Sequence, residues 1–529
     1  MRVVFFSMPD LIPHFRPHIW QPPSLAGALI AASLREAGHE PFVADLILQR
    51  DRVSEAVKEV LAEYRPRLVA LSAMSFQFAT AKRVAEIVKE TAPDVKTILG
   101  GYHATLMGEE MAPDGDGAPF DFICRGEGDH VLAELATALE KGTPLSQVPN
   151  LSFKDNGTFV HNERRGLEEI DHIPLPDCSA RIWSGYHFGP FALDIVETSR
   201  GCTNNCNFCS MRHMYGRTFR PFPIERVIRD LTDAKRRGIK WIAFGDDNIT
   251  LNIKRFEELC DAIADAGLND LGYIVQAECK GVATDPELAR KMDRANFRIV
   301  QLGIENVSPR NLEMMRKGRL NVLDNIKRSI QYLHDNSIMI VGGMILGNPD
   351  DNEEDIATNY EFFDDQDIDF FGDQIMTPYP KTGIREEMMR LGLVTNPKDY
   401  RLYNGYWANV RTRHLTPDEI QFLRWKYRDR YSTFRKSTKA FRANHPIVDL
   451  YRRVWLRPYR HVKYAILNRG KSERQLYEEA MDRDMALNNF FHEPEYPRSW
   501  RRSVQQVELP SLVALNEETP TMDSTSHAR

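Results

Sequence analysis

Short apolar runs alternate with amphipathic helical patterns over residues 1 to about 140. Residues 3–6 (VVFF) read as a short buried strand, and a helical period over 25–37 ends at Gly38, a residue suited to the left-handed turn that closes a helix. Residues 41–45 predict a second strand and 53–64 a helix. Residues 68–72 (LVALS) predict a third strand, and 80–91 a further helix. Residues 96–99 run into Gly100-Gly101, and 120–124 run into Gly126-Glu127-Gly128. Apolar strands separated by amphipathic helices imply a parallel, doubly wound sheet with both faces covered. Ligands of such sheets bind beyond the carboxyl ends of the strands, where Ser72, the Gly100 pair and the Gly126 turn fall.

The rhythm stops over 141–190, where Asp155-Asn156-Gly157 and the proline-rich run 173–177 predict a small hairpin and a linker. A second series begins at Phe191. Its strands are expected at 193–198, 241–244, 273–277, 299–302, 339–346 and 369–376, with helical patterns between them such as 225–237 and 253–266. Six βα units over 191–390 fit a partial (β/α)6 barrel better than a closed eightfold one. From 391 to 508 the pattern is helical and rich in Arg, Tyr and Trp, as over 417–436, and the polar stretch 509–529 predicts a disordered tail. The fold class is thus α/β: an N-terminal doubly wound, Rossmann-like domain, a partial barrel and a helical C-terminal region.

Composition narrows this further. The chain has 529 residues, enough for two or three domains, and a net charge of −6, which offers no overall attraction to nucleic acid. The opening MRVVFFSMPD is too briefly apolar for a secretory signal, and no stretch approaches the roughly 18 apolar residues of a membrane span, so a cytoplasmic protein is expected. Seven cysteines do not make a disulfide framework in a chain of this length. Cys124, Cys178, Cys260 and Cys279 are scattered and read as core thiols.

The other three lie together in Glu197-Thr198-Ser199-Arg200-Gly201-Cys202-Thr203-Asn204-Asn205-Cys206-Asn207-Phe208-Cys209, just past the first strand of the second series. Three thiolates at spacings of four and three residues can wrap one face of a four-iron cubane. A fourth cysteine is missing nearby, which leaves one iron open to a small chelating ligand. Gly201 frees the loop backbone, and small or polar neighbours allow N–H groups to approach the sulfurs. A Cys3His zinc site using His213 is the alternative, though structural zinc sites favour paired knuckles. A chance cluster of core thiols fits poorly in a polar, turn-prone loop.

CTNNCNFC has the CxxxCxxC spacing of the radical S-adenosylmethionine superfamily, and Phe208 matches its usual aromatic before the last cysteine. Further segments resemble that family in the same order over roughly 190–385: Phe244-Gly245-Asp246-Asp247-Asn248, Gln301-Leu302-Gly303-Ile304-Glu305, Gly343 to Pro349 and Pro378 to Thr382. The resemblance implies that Cys202, Cys206 and Cys209 ligate a [4Fe–4S] cluster whose open iron chelates S-adenosylmethionine. Cleavage of that cofactor would then yield a 5′-deoxyadenosyl radical able to take hydrogen from an unactivated carbon. It also implies that Phe208, Glu278, Gln301 and Glu305 help place the cofactor, and that Asp246 and Asp247 meet the methionine amine and the substrate. The bland reading of those carboxylates is helix or strand-end capping.

The first domain resembles the cobalamin-binding domain of this superfamily's methylases. Leu71-Ser72, Leu99-Gly100-Gly101-Tyr102-His103-Ala104 and Cys124 to Asp129 carry the likeness. It implies cobalamin contacts from Ser72, Gly100, Gly101, His103, Gly126, Glu127 and Gly128; otherwise these are ordinary βα turns. The Asp-x-His-x-x-Gly loop of cobalamin mutases is absent, since Asp45 is followed by Leu46-Ile47, so no histidine of that kind is expected on cobalt.

Two such cofactors suggest radical methyl transfer from methylcobalamin, with cyclisation, rearrangement or oxidation as an alternative and a non-catalytic sensor as a third reading. The layout is similar to that of hopanoid methylases, which implies a small-molecule or lipid, isoprenoid-type substrate. The alternating basic and aromatic residues of 451–464 suit peripheral contact with an anionic inner-membrane surface; the plainer reading is a helix packed on the barrel. The expected partners are a flavodoxin- or ferredoxin-like one-electron donor, and no nucleic acid.

Overall fold

A computed structural model of the chain describes residues 1–431 and 470–505. The basic-aromatic segment 451–464, the last residues of the helix expected over 417–436 and the tail 509–529 lie outside the described residues.

The runs that read as strands pair in parallel because both of their faces find helices. Arg2–Ser7 lies between Glu40–Asp45 and Leu68–Ser72, followed by Lys96–Gly100 and Phe122–Cys124, so the five parallel strands lie in the order 2-1-3-4-5. Val3 and Phe5 point into a core with helices Leu25–Glu36 and Val131–Lys141. Val4 and Phe6 point into the opposite core, with Val53–Tyr64 and Phe78–Thr91. Alternate residues of one continuous apolar run thus serve two layers. The predicted hairpin forms as Leu151–Asp155 and Thr158–His161, joined at Asn156-Gly157. It is not a free-standing part of a linker: it pairs antiparallel with Phe122–Cys124 and extends the first sheet.

The second sheet carries Phe191–Val196, Trp241–Phe244, Gly272–Glu278, Phe297–Glu305, Met339–Leu346 and Phe370–Ile375 side by side in chain order and all parallel, a partial barrel of six strands. Two short antiparallel strands extend its first edge: His187–Phe188, then Trp20–Gln21 from the first domain. A two-residue strand has no periodicity to read, so the sequence did not predict this crossing.

Inward-pointing residues change character along the barrel. Ile274, Ile299, Met339 and Val341 pack with Leu193, Trp241 and Phe188 as an apolar plug at the amino ends of the strands. Two and four residues on, Gln276, Glu278, Gln301, Gly303, Gly343, Ile345, Gly372 and Gln374 line a cavity at the carboxyl ends. The two-residue period that plugs the barrel below therefore opens it above. Helices Pro417–Tyr431 and Glu473–Ala486 pack beside the last strand, where the buried Asp373 pairs with Arg424 (3.2 Å) and accepts from the Tyr360 hydroxyl (2.7 Å). No described helix is long and apolar enough to cross a membrane.

Candidate active site

Two cavities sit at the carboxyl ends of the two sheets. The one in the barrel, about 280 Å³, is lined by Cys202, Cys206 and Cys209 and by Asn204, Phe208, Asp247, Glu278, Gln301, Glu305 and Lys317. The cysteine loop leaves the sheet after Val196 and starts from a narrow neck. There Ser199–Arg200 pairs antiparallel with Arg220–Pro221, and residues 201–219 form the excursion between them. Gly201 has φ +85°, and a Cβ on it would stand 2.6 Å from the Thr218 carbonyl oxygen, so glycine is required here. Asn207 ties the loop to the far side of the cavity. Its N–H donates to the Met315 carbonyl at 3.0 Å, and its own carbonyl accepts from the N–H of Ile384 at 3.1 Å.

The chemistry of the three thiols fits a cluster. Burial pushes the Cys202 thiol up to about 11, that of Cys206 up to about 12, and that of Cys209 upward as well. Backbone N–H groups of Asn204 and Met211 hydrogen-bond the sulfurs of Cys202 and Cys209 and act in the opposite sense. Thiols this buried become thiolates only when a metal supplies the compensating charge, and N–H donors aimed at sulfur stabilise that state. Among the described residues no three Cys, His, Asp or Glu side chains converge on a point that one metal ion could occupy. A cubane asks for something wider, one thiolate on each of three irons. His213 faces away from any shared ion: its Nε2 lies 2.6 Å from the Lys381 carbonyl oxygen.

Glu278 accepts from the Asn204 side chain at 2.6 Å, which joins the cysteine loop to the third strand of the barrel. Glu305 ends the fourth strand at a bulge with φ +67°, and Lys317 bonds its Oε1 at 2.8 Å. Burial opposes the Lys317 charge, but the Glu305 carboxylate and the neighbouring Cys206 hold its ammonium protonated. Gly303 allows this approach, since a Cβ there would come within 2.8 Å of the Glu305 carboxylate. Lys317 follows no recognisable strand-end pattern and was not anticipated.

The two aspartates expected in catalysis separate. Asp247 lines the cavity and accepts from the Gly201 N–H at 3.2 Å; burial pushes its carboxyl up to about 6. Asp246 lines neither cavity. Its buried carboxylate accepts from the Thr198 N–H (2.8 Å), the Thr198 hydroxyl (2.7 Å) and the Ser199 hydroxyl (2.5 Å). It pins the neck of the cysteine loop, as the bland capping reading allowed.

The second cavity, about 380 Å³, opens between the first sheet and the barrel. Ser72, Gly100, Gly101, Gly126, Glu127 and Gly128 line it, with Met74, Gln77 and Tyr102 beside them and Glu197, Arg200 and Tyr215 opposite. A Cβ on Gly100 would meet no atom closer than 3.9 Å, so its absence opens space in the cavity. Gly101, at φ +87°, passes so near Ala73 that a Cβ would lie 2.8 Å from its carbonyl oxygen. These shortened walls suit a broad, flat corrin. No histidine is among the lining residues. His103, expected near the nucleotide tail, is not there either: it is buried in the core, stacked on Phe78 at 4.1 Å and edge-on to Tyr400 at 5.1 Å. The helix that begins at Gly101 turns Tyr102 toward the cavity and the next side chain away from it. Asp45 is likewise occupied, accepting from the Tyr186 hydroxyl at 2.6 Å. The two cavities adjoin: Arg200 lines the second and Cys202, two residues on, lines the first, with Gly201 between them bonded to Asp247. Tyr102 lines the second, where burial foremost and the nearby Asp247 carboxylate hold its hydroxyl protonated.

Comparison with known proteins agrees with this division. The radical SAM superfamily model matches residues 196–363, and the B12-binding domain model matches 20–136. An uncharacterized methyltransferase of Pyrococcus horikoshii is 30% identical over 407 residues, covering 76% of this chain and 86% of that protein. The hopanoid C-3 methylase of Methylococcus capsulatus is 27% identical over 74% of this chain and 73% of its own. The anaerobic magnesium-protoporphyrin IX monomethyl ester cyclase of Rubrivivax gelatinosus is 26% identical over 71% and 68%. Among solved structures, the radical S-adenosylmethionine methyltransferase TsrM of Kitasatospora setae, with cobalamin and a [4Fe–4S] cluster bound, superposes with a TM-score of 0.61 at 19% identity. The match covers 74% of this chain and 78% of TsrM.

Proposed function

Because the chain belongs to the radical S-adenosylmethionine superfamily, in the subclass that adds a cobalamin-binding domain, we propose that this cobalamin-dependent enzyme is a methyltransferase acting on a non-nucleophilic carbon. The adjoining of the two cavities carries the reading. A methyl donor and a radical generator must reach the same substrate carbon, and Tyr102 and Asp247 stand where the spaces meet. When bound, the cluster supplies an electron, S-adenosylmethionine the 5′-deoxyadenosyl radical and cobalamin the methyl group.

The protein's own part is binding and orientation. Cys202, Cys206 and Cys209 would hold three irons. Gln301 and the Glu305–Lys317 pair would orient S-adenosylmethionine from the barrel, and Phe208 and Glu278 would close its sides. Ser72 and the glycines at 100, 101, 126 and 128 would let the corrin lie close to backbone, and Glu127 walls the same space. One turnover consumes two S-adenosylmethionine molecules. It would also consume two electrons: one S-adenosylmethionine gives S-adenosylhomocysteine and the methyl group, the other gives methionine and 5′-deoxyadenosine, which carries away the substrate hydrogen that methyl replaces.

For the substrate, the names of relatives support an apolar polycyclic small molecule, lipid-like as in the hopanoid methylase or tetrapyrrole-like as in the cyclase. The cyclase also favours a second reading, radical oxidation or ring formation without methyl addition. Both electrons would come, one at a time, from a flavodoxin- or ferredoxin-like donor. The reading is tested with anaerobically reconstituted protein, a one-electron reductant, and S-adenosylmethionine carrying a deuterated methyl group, offered with a hopanoid extract and, separately, with magnesium-protoporphyrin IX monomethyl ester. Methyl transfer gives S-adenosylhomocysteine and 5′-deoxyadenosine in equal amounts and a labelled methyl on the product. 5′-Deoxyadenosine with an unlabelled, oxidised product would establish the second reading instead.

A further inference from the structure

The neck of the cysteine loop carries an unusual charge arrangement. Arg200 has five N–H donors, and all five are used on three carboxylates. Nη1 and Nη2 take the two oxygens of Asp129 at 2.9 and 3.0 Å, and Nη1 also reaches Glu127 at 3.1 Å. Nε and Nη2 take both oxygens of Glu197 at 3.0 and 2.9 Å. Across the neck, Arg220 bonds the two oxygens of Glu127 at 2.6 and 3.1 Å. The Arg200, Glu127 and Asp129 side chains are each at least nine-tenths buried, with 6, 4 and 9% exposure.

The placement of these groups gives them their meaning. Glu127 and Asp129 belong to the turn after Cys124 in the first domain, the turn that walls the corrin cavity. Arg200 and Arg220 are the paired residues at the neck of the loop that carries the cluster cysteines. Burial works to raise the Asp129 carboxyl, and the Arg200 guanidinium more than offsets it, so the pair is charged. Buried multidentate arginine–carboxylate pairs allow little angular play, and stripping one partner leaves an uncompensated buried charge. The neighbouring supports are compatible with a stiff neck: Asp246 holds Thr198 and Ser199 from within, and Arg255 donates to the carbonyls of Thr198 (2.9 Å) and Phe222 (2.7 Å).

We propose that Arg200 and Arg220, clamped on Glu127 and Asp129, are positioning residues that fix the cluster loop to the wall of the corrin cavity and thereby set the separation and mutual orientation of the two cofactors. The first domain also touches the loop farther out, where the Thr105 hydroxyl meets the Met214 sulfur at 3.8 Å, but this clamp grips it with charged pairs at both strands of its neck. A shift of the Gly126–Asp129 turn as the corrin enters is passed to Cys202, two residues beyond Arg200. The role rests on the reading that both cofactors bind here, and it is independent of whether the reaction is methylation or oxidation.

The test is spectroscopic and needs no substrate. Holoprotein is poised with cobalt as cob(II)alamin and the cluster reduced, and their dipolar interaction is read by pulsed electron paramagnetic resonance. The unsubstituted protein should give a single narrow distance. Arg200→Lys keeps the charge but cannot make five forked bonds, and Asp129→Asn removes the partner from the other domain. Both should retain parental iron and corrin and at least double the width of the distance distribution. In cofactor-free protein, Asp129→Asn should speed amide exchange over 201–209 several-fold. Where Arg200→Lys fails to fold, Asp129→Asn decides. If that variant loses iron while keeping corrin, amide exchange over 201–209 decides: a several-fold acceleration supports the clamp and the parental rate overturns it. An unchanged distance distribution, or loss of corrin with unaltered exchange over 201–209, overturns it.

Discussion

The two cavities meet but are built on opposite principles. The corrin cavity is shaped by what its residues lack: glycines at 100, 101, 126 and 128 end the strands, and its floor is apolar, with Phe5, Ala70, Leu71 and Ile98. Its charged residues are already committed, Glu127 and Asp129 to the arginines of the neck. The cluster cavity is defined by side chains that carry function: three thiols, Asp247, Glu278, and Glu305 with Lys317. A large, flat cofactor is held by shape, so backbone must come close; a small zwitterionic one is held by charge and hydrogen bonds, so side chains must be supplied. The two sites should therefore fail separately, and by different kinds of substitution.

The largest separation should come from Cys206→Ala. It deletes one corner of the thiolate tripod, so cluster iron and 5′-deoxyadenosine formation should be lost by at least about 1000-fold, since the radical has no other source. Cobalamin should still bind, because no part of the corrin wall changes. Iron assay, product chromatography and corrin absorbance on one anaerobic sample decide it, and an intact cluster in this variant would remove the ligand assignment. A smaller, opposite effect is expected from Gly101→Ala. The left-handed backbone and the 2.8 Å approach to the Ala73 carbonyl should cost about 2–3 kcal/mol and loosen cobalamin by about tenfold. The cluster signal should remain. Loss of the cluster signal with unchanged corrin binding would break the comparison.

The same contrast governs how much could be read from the chain. The first sheet was legible because its strands are buried on both faces, so each shows as an apolar run, the last two ended by glycine turns. The barrel strands were legible for the same reason, and the cysteine spacing is local. Less visible were features made by distant pairing. Arg200 reaches Asp129 across 71 positions, and nothing in either neighbourhood marks the other. Lys317 lies in a turn beyond its helix, and only the bulge at Glu305 brings the two together. Asp246 and Asp247 are adjacent, yet in the turn past the strand end at Phe244 one faces the loop neck and the other the cavity. His103 was misplaced because the helix beginning at Gly101 rotates it toward Phe78, a turn that glycine content alone does not specify.

That misplacement gives the smallest test, in the core of the first domain and not at the corrin cavity. His103 is buried between Phe78 and Tyr400, its Nδ1 has no hydrogen-bond partner, and burial pulls its imidazole down to about 4, with Asp116 acting weakly in the other sense. The unfolded chain takes up this proton near the usual value of about 6.5, while the folded chain resists until about 4. Its contribution is therefore fully present above pH 6.5 and drains away as the pH falls from 6.5 to 4. Between pH 7 and 5 that amounts to about 2 kcal/mol. His103→Phe offers the same flat ring to Phe78 without a proton to gain, so the first domain of the variant should lose about that much less stability on acidification, measured by denaturant unfolding at the two pH values. Equal acid sensitivity in the two proteins would mean that His103 reaches solvent and that this part of the first domain's core is open to water.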